Sequence, residues 1–124
     1  MKVSEAINRV NSLKDNAYDD ETIKKFIEDC DKRIYREVIE THEQKQPITP
    51  YEKRYPLNSD DELLADDTYC ELYVFYAISQ VDVFNGETER YANNMINYNS
   101  IYSDYKAYYN RNNMPLGVKR ITTG

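Results

Sequence analysis

Apolar side chains recur every three or four positions over the first third of the chain, and this period predicts two amphipathic helices. The first runs from Ser4 to about Lys14, and Ser4 is a suitable N-cap residue. The second follows a cap at Asp19 or Asp20 and continues to about His42. Its apolar stripe consists of Ile23, Phe26, Ile27, Cys30, Ile34, Val38 and Ile39. Because the opposite face is charged, we expect a helix at the surface of a bundle.

The helical period stops between Gln44 and Asn58, where Pro47, Pro50 and Pro56 exclude a helix. The segment keeps apolar residues, namely Ile48, Tyr51, Tyr55 and Leu57. Loops longer than about 12 residues in a compact domain are usually functional or disordered. We therefore expect an ordered, protruding loop, or a β-hairpin, in which Ile48, Tyr51 and Tyr55 contact another protein.

Helical periodicity returns at Ser59 or Asp60 and continues, after Asp66-Asp67, as a strong helix that ends at Phe84. The apolar face of this helix is broad and consists of Leu72, Phe75, Tyr76, Ile78, Val81 and Phe84. Asn85-Gly86 provides a C-terminal cap and turn. This segment is predicted to be the central helix of the core.

The fourth predicted helix, from Glu87 to about Asn112, carries a row of tyrosines that, with Met95 included, has alternating spacings of four and three. We call this row the tyrosine seam, and its members are Tyr91, Tyr98, Tyr102, Tyr105 and Tyr109. At 1.5 Å per residue the helix spans roughly 40 Å, which is more than a bundle of this size can cover. Tyrosine suits surfaces that are wet in a monomer and covered in a complex. We therefore expect the seam to contact neighbouring subunits.

Pro115 ends the last helix, and the residues that follow alternate as in a strand. The alternating residues are Leu116, Val118, Lys119, Arg120 and Ile121. Nothing else in the chain offers a sheet, so this arm is expected to bind a partner by strand addition. The predicted fold is all-α: a bundle of about four helices over residues 1–113, with a loop at 44–58 and an extended arm at 114–124.

The composition excludes or disfavours several classes of function. The formal charge of −6 disfavours specific binding of nucleic acid. No apolar stretch is long enough to span a bilayer, and the N-terminal residues have no signal-peptide core. Cys30 and Cys70 stand singly on helical segments, so we expect two reduced, half-buried thiols.

The sequence contains few residues that could form a catalytic or metal-binding site. Arg36 and His42 match the loose Arg-x(4–6)-His spacing of HEPN-type RNases, but Glu37 beside Arg36 would repel phosphate. Acidic residues at 60–62 and 66–67 are explained by the helix macrodipole rather than by a metal site. We predict no catalytic residues, no metal and no cofactor.

Residues 58 to 112 carry a recognisable pattern. The pattern begins with Leu63-Leu64 flanked by acidic residues. A Tyr-rich helix, an Asn85-Gly86-Glu87 turn and a Tyr/Asn-rich last helix that ends in Arg111-x-Asn113 follow. This pattern resembles the head–tail connector (adaptor) proteins of long-tailed bacteriophages and prophages of Gram-positive bacteria. The loop at 44–58 is long for that family.

The resemblance implies a structural protein of the virion neck, assembled in the bacterial cytoplasm. Such proteins form a ring of about twelve copies under the portal and continue the DNA channel, through which DNA passes without specific binding. The C-terminal arm would grip the portal protein, and the loop would face the next neck, stopper or tail protein. The alternatives are a small helical partner-binding regulator and, least favoured, the HEPN-like RNase.

Overall fold

The structure is a computed structural model that describes residues 1–117, and it confirms the all-α class. Its helices are α1 (Val3–Leu13), α2 (Asp20–Ile34), α3 (Tyr51–Arg54), α4 (Glu71–Phe84) and α5 (Thr88–Asn112). A π-helical turn, Tyr35–Ile39, extends α2, and a 3₁₀ turn, Asp67–Tyr69, precedes α4. Extended pairing within residues 1–117 consists of two isolated antiparallel bridges, Lys2 with Glu62 and His42 with Pro115.

Two predicted helix ends are confirmed, and both depend on local chemistry. Asp19 caps α2, because its carboxylate accepts a hydrogen bond from the backbone N–H of Thr22 at 2.9 Å. Asn85 is the C-cap of α4, and Gly86 follows it with a φ of +71°. That left-handed conformation favours glycine because a Cβ atom would strain it.

The prediction of helix from Ser59 through Leu64 is wrong. Ser59 and Asp60 form a turn, and the residues after it pair with the N-terminal residues: the N–H of Leu63 donates to the carbonyl of Met1, and the N–H of Val3 donates to the carbonyl of Asp61. These bonds connect residues that are about sixty positions apart in the chain. Because they satisfy backbone groups that a helix would otherwise use, local helical periodicity does not decide the conformation here.

Helix α4 lies at the centre of the core, as predicted, and contacts α1, α2 and α5. Leu72, Ile78 and Val81 are buried, but Phe84 at its C-terminal end is 64% exposed. The expectation that Phe84 belongs to the core is therefore wrong, since the bundle ends one turn before it. Cys30 and Cys70 are free thiols and are buried rather than half-buried.

Candidate functional site

The tyrosine seam has the predicted spacing, but most of it faces the interior. Tyr98, Tyr102 and Tyr105 are 0%, 3% and 0% exposed. The expectation that these three rings contact neighbouring subunits is therefore corrected, since they belong to the core of their own chain. The remaining seam residues, Tyr91 and Tyr109, are half-buried near the two ends of α5.

Helix α5 packs mainly along α4, and side chains of α2 and its π-helical turn complete the cover of its tyrosines. Arg33 donates a hydrogen bond to the Tyr98 hydroxyl at 3.0 Å, and its guanidinium lies 4.7 Å from the centre of the Tyr102 ring. The Tyr102 hydroxyl donates to Glu37 at 2.8 Å. The expectation that α5 is longer than its own bundle can cover is therefore wrong for this middle part of the helix.

In its middle part, residues 91–103, the opposite face of α5 is exposed and lacks charge. No residue between Arg90 and Asp104 carries a charge, although 31% of the chain is charged. Ile96 is 65% exposed at the middle of this face. The exposed residues around it are small or amide side chains, namely Ala92, Asn93, Asn97, Asn99, Ser100 and Ser103. We call this surface the α5 outer face, and the sequence reasoning missed it because the tyrosine period dominated the pattern.

The loop at 44–58 is largely held against the bundle. Contrary to the prediction, it contains a helical turn, α3. Pro50 is the N-cap of that turn, where its missing N–H costs no helical hydrogen bond. Leu57 is buried, and its N–H donates to Glu28 Oε2 at 2.8 Å. The predicted β-hairpin is therefore absent from the described residues, and only part of the loop protrudes.

A buried carboxylate anchors the second half of the loop. Asp31 of α2 is fully buried and accepts hydrogen bonds from the Arg54 guanidinium (2.8 and 3.0 Å) and from the Tyr55 hydroxyl (2.6 Å). It also accepts from the Tyr73 hydroxyl at 2.7 Å and from the Leu64 N–H at 2.9 Å. Burial, followed by the charge of Asp31, raises the pKa values of both Tyr55 and Tyr73. We call these residues the Asp31 cluster, and it ties α2, α4 and the loop together.

The three loop residues predicted to bind a partner therefore differ in how far they are available to another molecule. Tyr55 belongs to the Asp31 cluster and is half-buried. Tyr51 contacts the Tyr35 ring edge to face at 5.4 Å, and the Arg36 guanidinium lies 3.8 Å from the Tyr51 ring centre. Ile48 is 42% exposed, which leaves it as the predicted contact that is most open to another molecule.

The C-terminal segment begins by pairing with its own chain. The N–H of Glu43 donates to the carbonyl of Met114 at 2.8 Å, and the N–H of Leu116 donates to the carbonyl of Thr41 at 2.9 Å. The expectation that nothing within the chain pairs with the arm is therefore wrong as far as Leu116. The other residues assigned to the arm lie outside the described residues: Val118, Lys119, Arg120 and Ile121.

Arg36 and His42 make separate contacts. The Arg36 guanidinium pairs with Glu40 and lies over Tyr51. His42 Nδ1 lies 2.6 Å from the carbonyl oxygen of Val38, its Nε2 contacts the Asn110 side chain, and its ring meets Tyr109 edge to face. Both side chains are thus used in packing, and their contacts do not bring them together around one phosphate.

Two partly buried aromatic rings and the exposed Phe84 form a surface cluster that the sequence reasoning missed. Phe84 stacks on Phe26 with centroids 6.0 Å apart and planes at 19°, and Tyr18 contacts both rings. We call Tyr18, Phe26 and Phe84 the aromatic patch. Phe26 and Phe84 had each been assigned to a core stripe, so no local signal separated them from buried residues.

A buried ion pair connects the end of α1 with Asp82, two residues before Phe84. Asp82 is fully buried; its Oδ1 lies 2.8 Å from the Lys14 ammonium, and its Oδ2 accepts from the Asn94 amide at 2.7 Å. Lys14 also contacts Glu87 at 2.8 Å. Hydrogen bonds to Asp82 and Glu87 raise the pKa of Lys14. The ends of α1 and α4 and the start of α5 are therefore held together by charge.

No family model matches the chain, and neither the curated proteins nor the solved structures contain a match. Among the described residues, no helix is long and apolar enough to cross a membrane. The same residues contain no group of three potential metal ligands.

Proposed function

We propose that the chain is a head–tail connector (adaptor) of a long-tailed bacteriophage or prophage, and that it works by assembly rather than by catalysis. In this proposal about twelve copies form a ring with cyclic symmetry under the portal protein. The ring joins the capsid to the tail in the neck of the virion and continues the DNA channel.

The specific assignment to this family rests on the pattern over residues 58–112. The order of elements is consistent with it: a short first helix, an amphipathic second helix, a central helix and a long last helix. The formal charge of −6 also supports it, because an acidic channel wall lets DNA slide without binding.

The observation that carries the assembly part of the proposal is the α5 outer face. Two copies of an acidic protein repel each other wherever their charged surfaces meet. The α5 outer face removes this cost, because it presents no charge and its small side chains allow close approach. Ile96 supplies an exposed apolar anchor, and charge depletion is the compositional mark of an interface core.

The two ends of the ring are assigned to the loop and the C-terminal segment. Ile48 remains our candidate for contact with the stopper or tail protein. Leu116 and the residues beyond it remain our candidates for contact with the portal protein. Lys119 and Arg120 give that segment local positive charge on an acidic chain, which suits an acidic portal surface.

Co-expression with the portal protein of the same genome tests the proposal. Portal particles should carry a second ring of this chain, visible by electron microscopy and native mass spectrometry. Ile96→Glu should abolish that ring, because it places a carboxylate in every subunit contact. Leu13→Glu, a matched change at an exposed apolar residue of α1, should leave the ring intact. A chain that stays monomeric beside its portal protein would contradict the connector assignment.

The loop is tested separately by Ile48→Asp. Portal-bound rings should still form, since Ile48 lies outside the Asp31 cluster, but heads should fail to join tails. Normal tail attachment by this variant would remove Ile48 from the tail-side contact while leaving the ring itself unaffected.

A further inference from the structure

The turn between α4 and α5 contains a chemically labile dipeptide. Asn85 is followed by Gly86, and this is the only Asn–Gly pair in the sequence. Both residues are exposed, and a Cβ atom placed on Gly86 would meet no other atom within 4 Å. Water and solvent base therefore reach both the side-chain amide and the peptide nitrogen that follows it. Asparagine is among the thermolabile residues of proteins, and glycine lacks the side chain that would shield this nitrogen.

The reaction open to this pair is deamidation. After the Gly86 nitrogen loses its proton to solvent base, it attacks the side-chain carbonyl carbon of Asn85. The bond from that carbon to the amide nitrogen breaks, ammonia leaves, and a five-membered succinimide ring remains. Water then adds to one of the two ring carbonyls and opens the ring, which leaves aspartate or isoaspartate at position 85. Water is the only co-reactant.

The folded turn holds the pair away from this reaction. Asn85 has a φ of −86° and a ψ of −2°, so the Gly86 nitrogen eclipses the backbone nitrogen of Asn85. Closure of the succinimide ring requires that nitrogen to eclipse the Asn85 Cβ instead. The Gly86 N–H also donates a hydrogen bond to the carbonyl of Val83 at 3.1 Å, and this bond must break before the nitrogen can attack. Deamidation of the folded protein therefore requires the turn to open first.

Two ion pairs keep the turn closed. The Lys14 ammonium lies 2.8 Å from Asp82 and 2.8 Å from Glu87, which stand on either side of the labile pair. The N–H of Glu87 also donates to the carbonyl of Asp82 at 2.9 Å. The side chains of Lys14 and Asp82 are 11% and 0% exposed, so water and salt screen their attraction little. Loss of Lys14 would leave a buried carboxylate without its counter-ion, which favours an open turn.

We propose that Asn85–Gly86 is a site of spontaneous deamidation, and that the ion pairs of Lys14 with Asp82 and Glu87 set its rate by limiting how often the α4–α5 turn opens. The modification is irreversible because ammonia is lost. Each product adds a negative charge at the C-terminal end of α4, where the helix dipole disfavours it. Isoaspartate also lengthens the backbone of the turn by one carbon atom. The modification therefore loosens the junction of α4 and α5, and this inference does not depend on the connector proposal.

The rate is measured by incubating the whole chain at mildly alkaline pH, with and without concentrated urea. Samples are digested with pepsin at acid pH, where the reaction is slow, and mass spectrometry then quantifies the replacement of –NH₂ by –OH at position 85. We expect the native rate to be at least about tenfold below the rate in urea, because only the open turn reacts. Asn85→Gln should abolish the mass change at this position, since its longer side chain would have to close a less favourable six-membered ring.

The part played by the ion pairs is measured with Lys14→Met. This change should raise the native rate about threefold or more and leave the rate in urea unchanged. The matched control is Asp31→Ala, which breaks a buried ion pair far from the turn and should leave the native rate within about twofold of wild type. Glu87→Gln removes only the half-buried partner of Lys14 and should raise the native rate about twofold. Circular dichroism verifies that each variant is folded during the incubation.

Three results would overturn the proposal. The first is absence of deamidation at position 85 even in urea, and the second is an equal rate with and without urea, which would show that the folded turn protects nothing. The third is a native rate that Lys14→Met leaves unchanged or that Asp31→Ala raises equally, because the reaction would then follow global unfolding. If Lys14→Met does not fold, Glu87→Gln decides alone, and an unchanged native rate in that variant contradicts the role of the ion pairs.

Discussion

Replacing Asp31 by Ala should be among the most damaging single changes in this protein. The side chain is fully buried and accepts five hydrogen bonds from described residues, two of them from Arg54. The substitution leaves a largely buried guanidinium without its counter-ion. It also leaves the hydroxyls of Tyr55 and Tyr73 without their acceptor. Breaking a buried pair in this way costs about 3–5 kcal/mol.

That cost is large against the total stability of a small domain, which is about 5–15 kcal/mol. For a chain of this size, each kcal/mol lowers the melting temperature by roughly 4 °C, so Asp31→Ala should lower it by about 12–20 °C. Asp31→Asn should also destabilise. Asparagine keeps one acceptor oxygen, but its amide group places donors against the Arg54 guanidinium and the Tyr55 hydroxyl.

Urea unfolding followed by circular dichroism measures the effect as a change in the free energy of unfolding. The matched control is Asp29→Ala, which removes an exposed carboxylate from the same helix and should stay within about 0.5 kcal/mol of wild type. A loss below about 1 kcal/mol for Asp31→Ala would refute the reasoning. The loop would then be held by apolar contacts such as Leu57, and the polar cluster would be dispensable.

The remaining predictions concern the tyrosines and the C-terminal segment. Tyr105→Phe should leave the free energy of unfolding unchanged or raise it by up to about 1–2 kcal/mol, because the buried Tyr105 hydroxyl has no hydrogen-bond partner among the described residues. Tyr102→Phe, the matched change one turn earlier, should lose about 1 kcal/mol in the same urea assay, since it removes the bond to Glu37. Burial raises the pKa of Tyr73 in the folded protein. The neutral Tyr73 side chain therefore stabilises the fold below the ordinary tyrosine pKa of about 10, and this stabilisation is lost as the pH rises above that value. A tyrosinate absorbance titration should show that Tyr73 ionises only when the protein unfolds. Truncation after Gly117 should leave the melting temperature unchanged, whereas truncation after Asn112 should lower it, because only the latter removes the pairing of residues 113–116; equal effects would contradict this.

Local chemistry was sufficient to predict the start of α2, the end of α4 and the fold class. Asp19 supplies a carboxylate where α2 needs an acceptor, and Gly86 supplies a conformation that other residues avoid. Both residues affect only the few positions next to them in the chain, so these helix ends can be recognised from the sequence alone. The burial of Leu72 and Val81 follows from the same local period, since α4 is apolar around most of its circumference.

The surfaces could not be predicted in this way, because they depend on distant partners. Tyr102 has the same spacing whether its ring faces another subunit or its own core, and the packing of α5 on α4 decides between them, with distant Glu37 as the partner of the hydroxyl. Phe84 continues an apolar stripe that the bundle no longer covers. The extended conformation near Leu63 depends on pairing with Met1, which no periodicity in either segment indicates.

The pairing of Glu43 with Met114 has a mechanical consequence. A force applied to the chain beyond Gly117 does not act on the last turn of α5 alone. Hydrogen bonds between residues 41–43 and 114–116 transmit part of this force to the end of the second helix. The same short ribbon is the point where the loop that carries Ile48 leaves the bundle. Tension at the C-terminal segment and displacement of the loop therefore both act on the pairing of residues 41–43 with 114–116. A contact made by the C-terminal segment would in this way affect the position of the loop, and a contact made by the loop would affect the C-terminal segment.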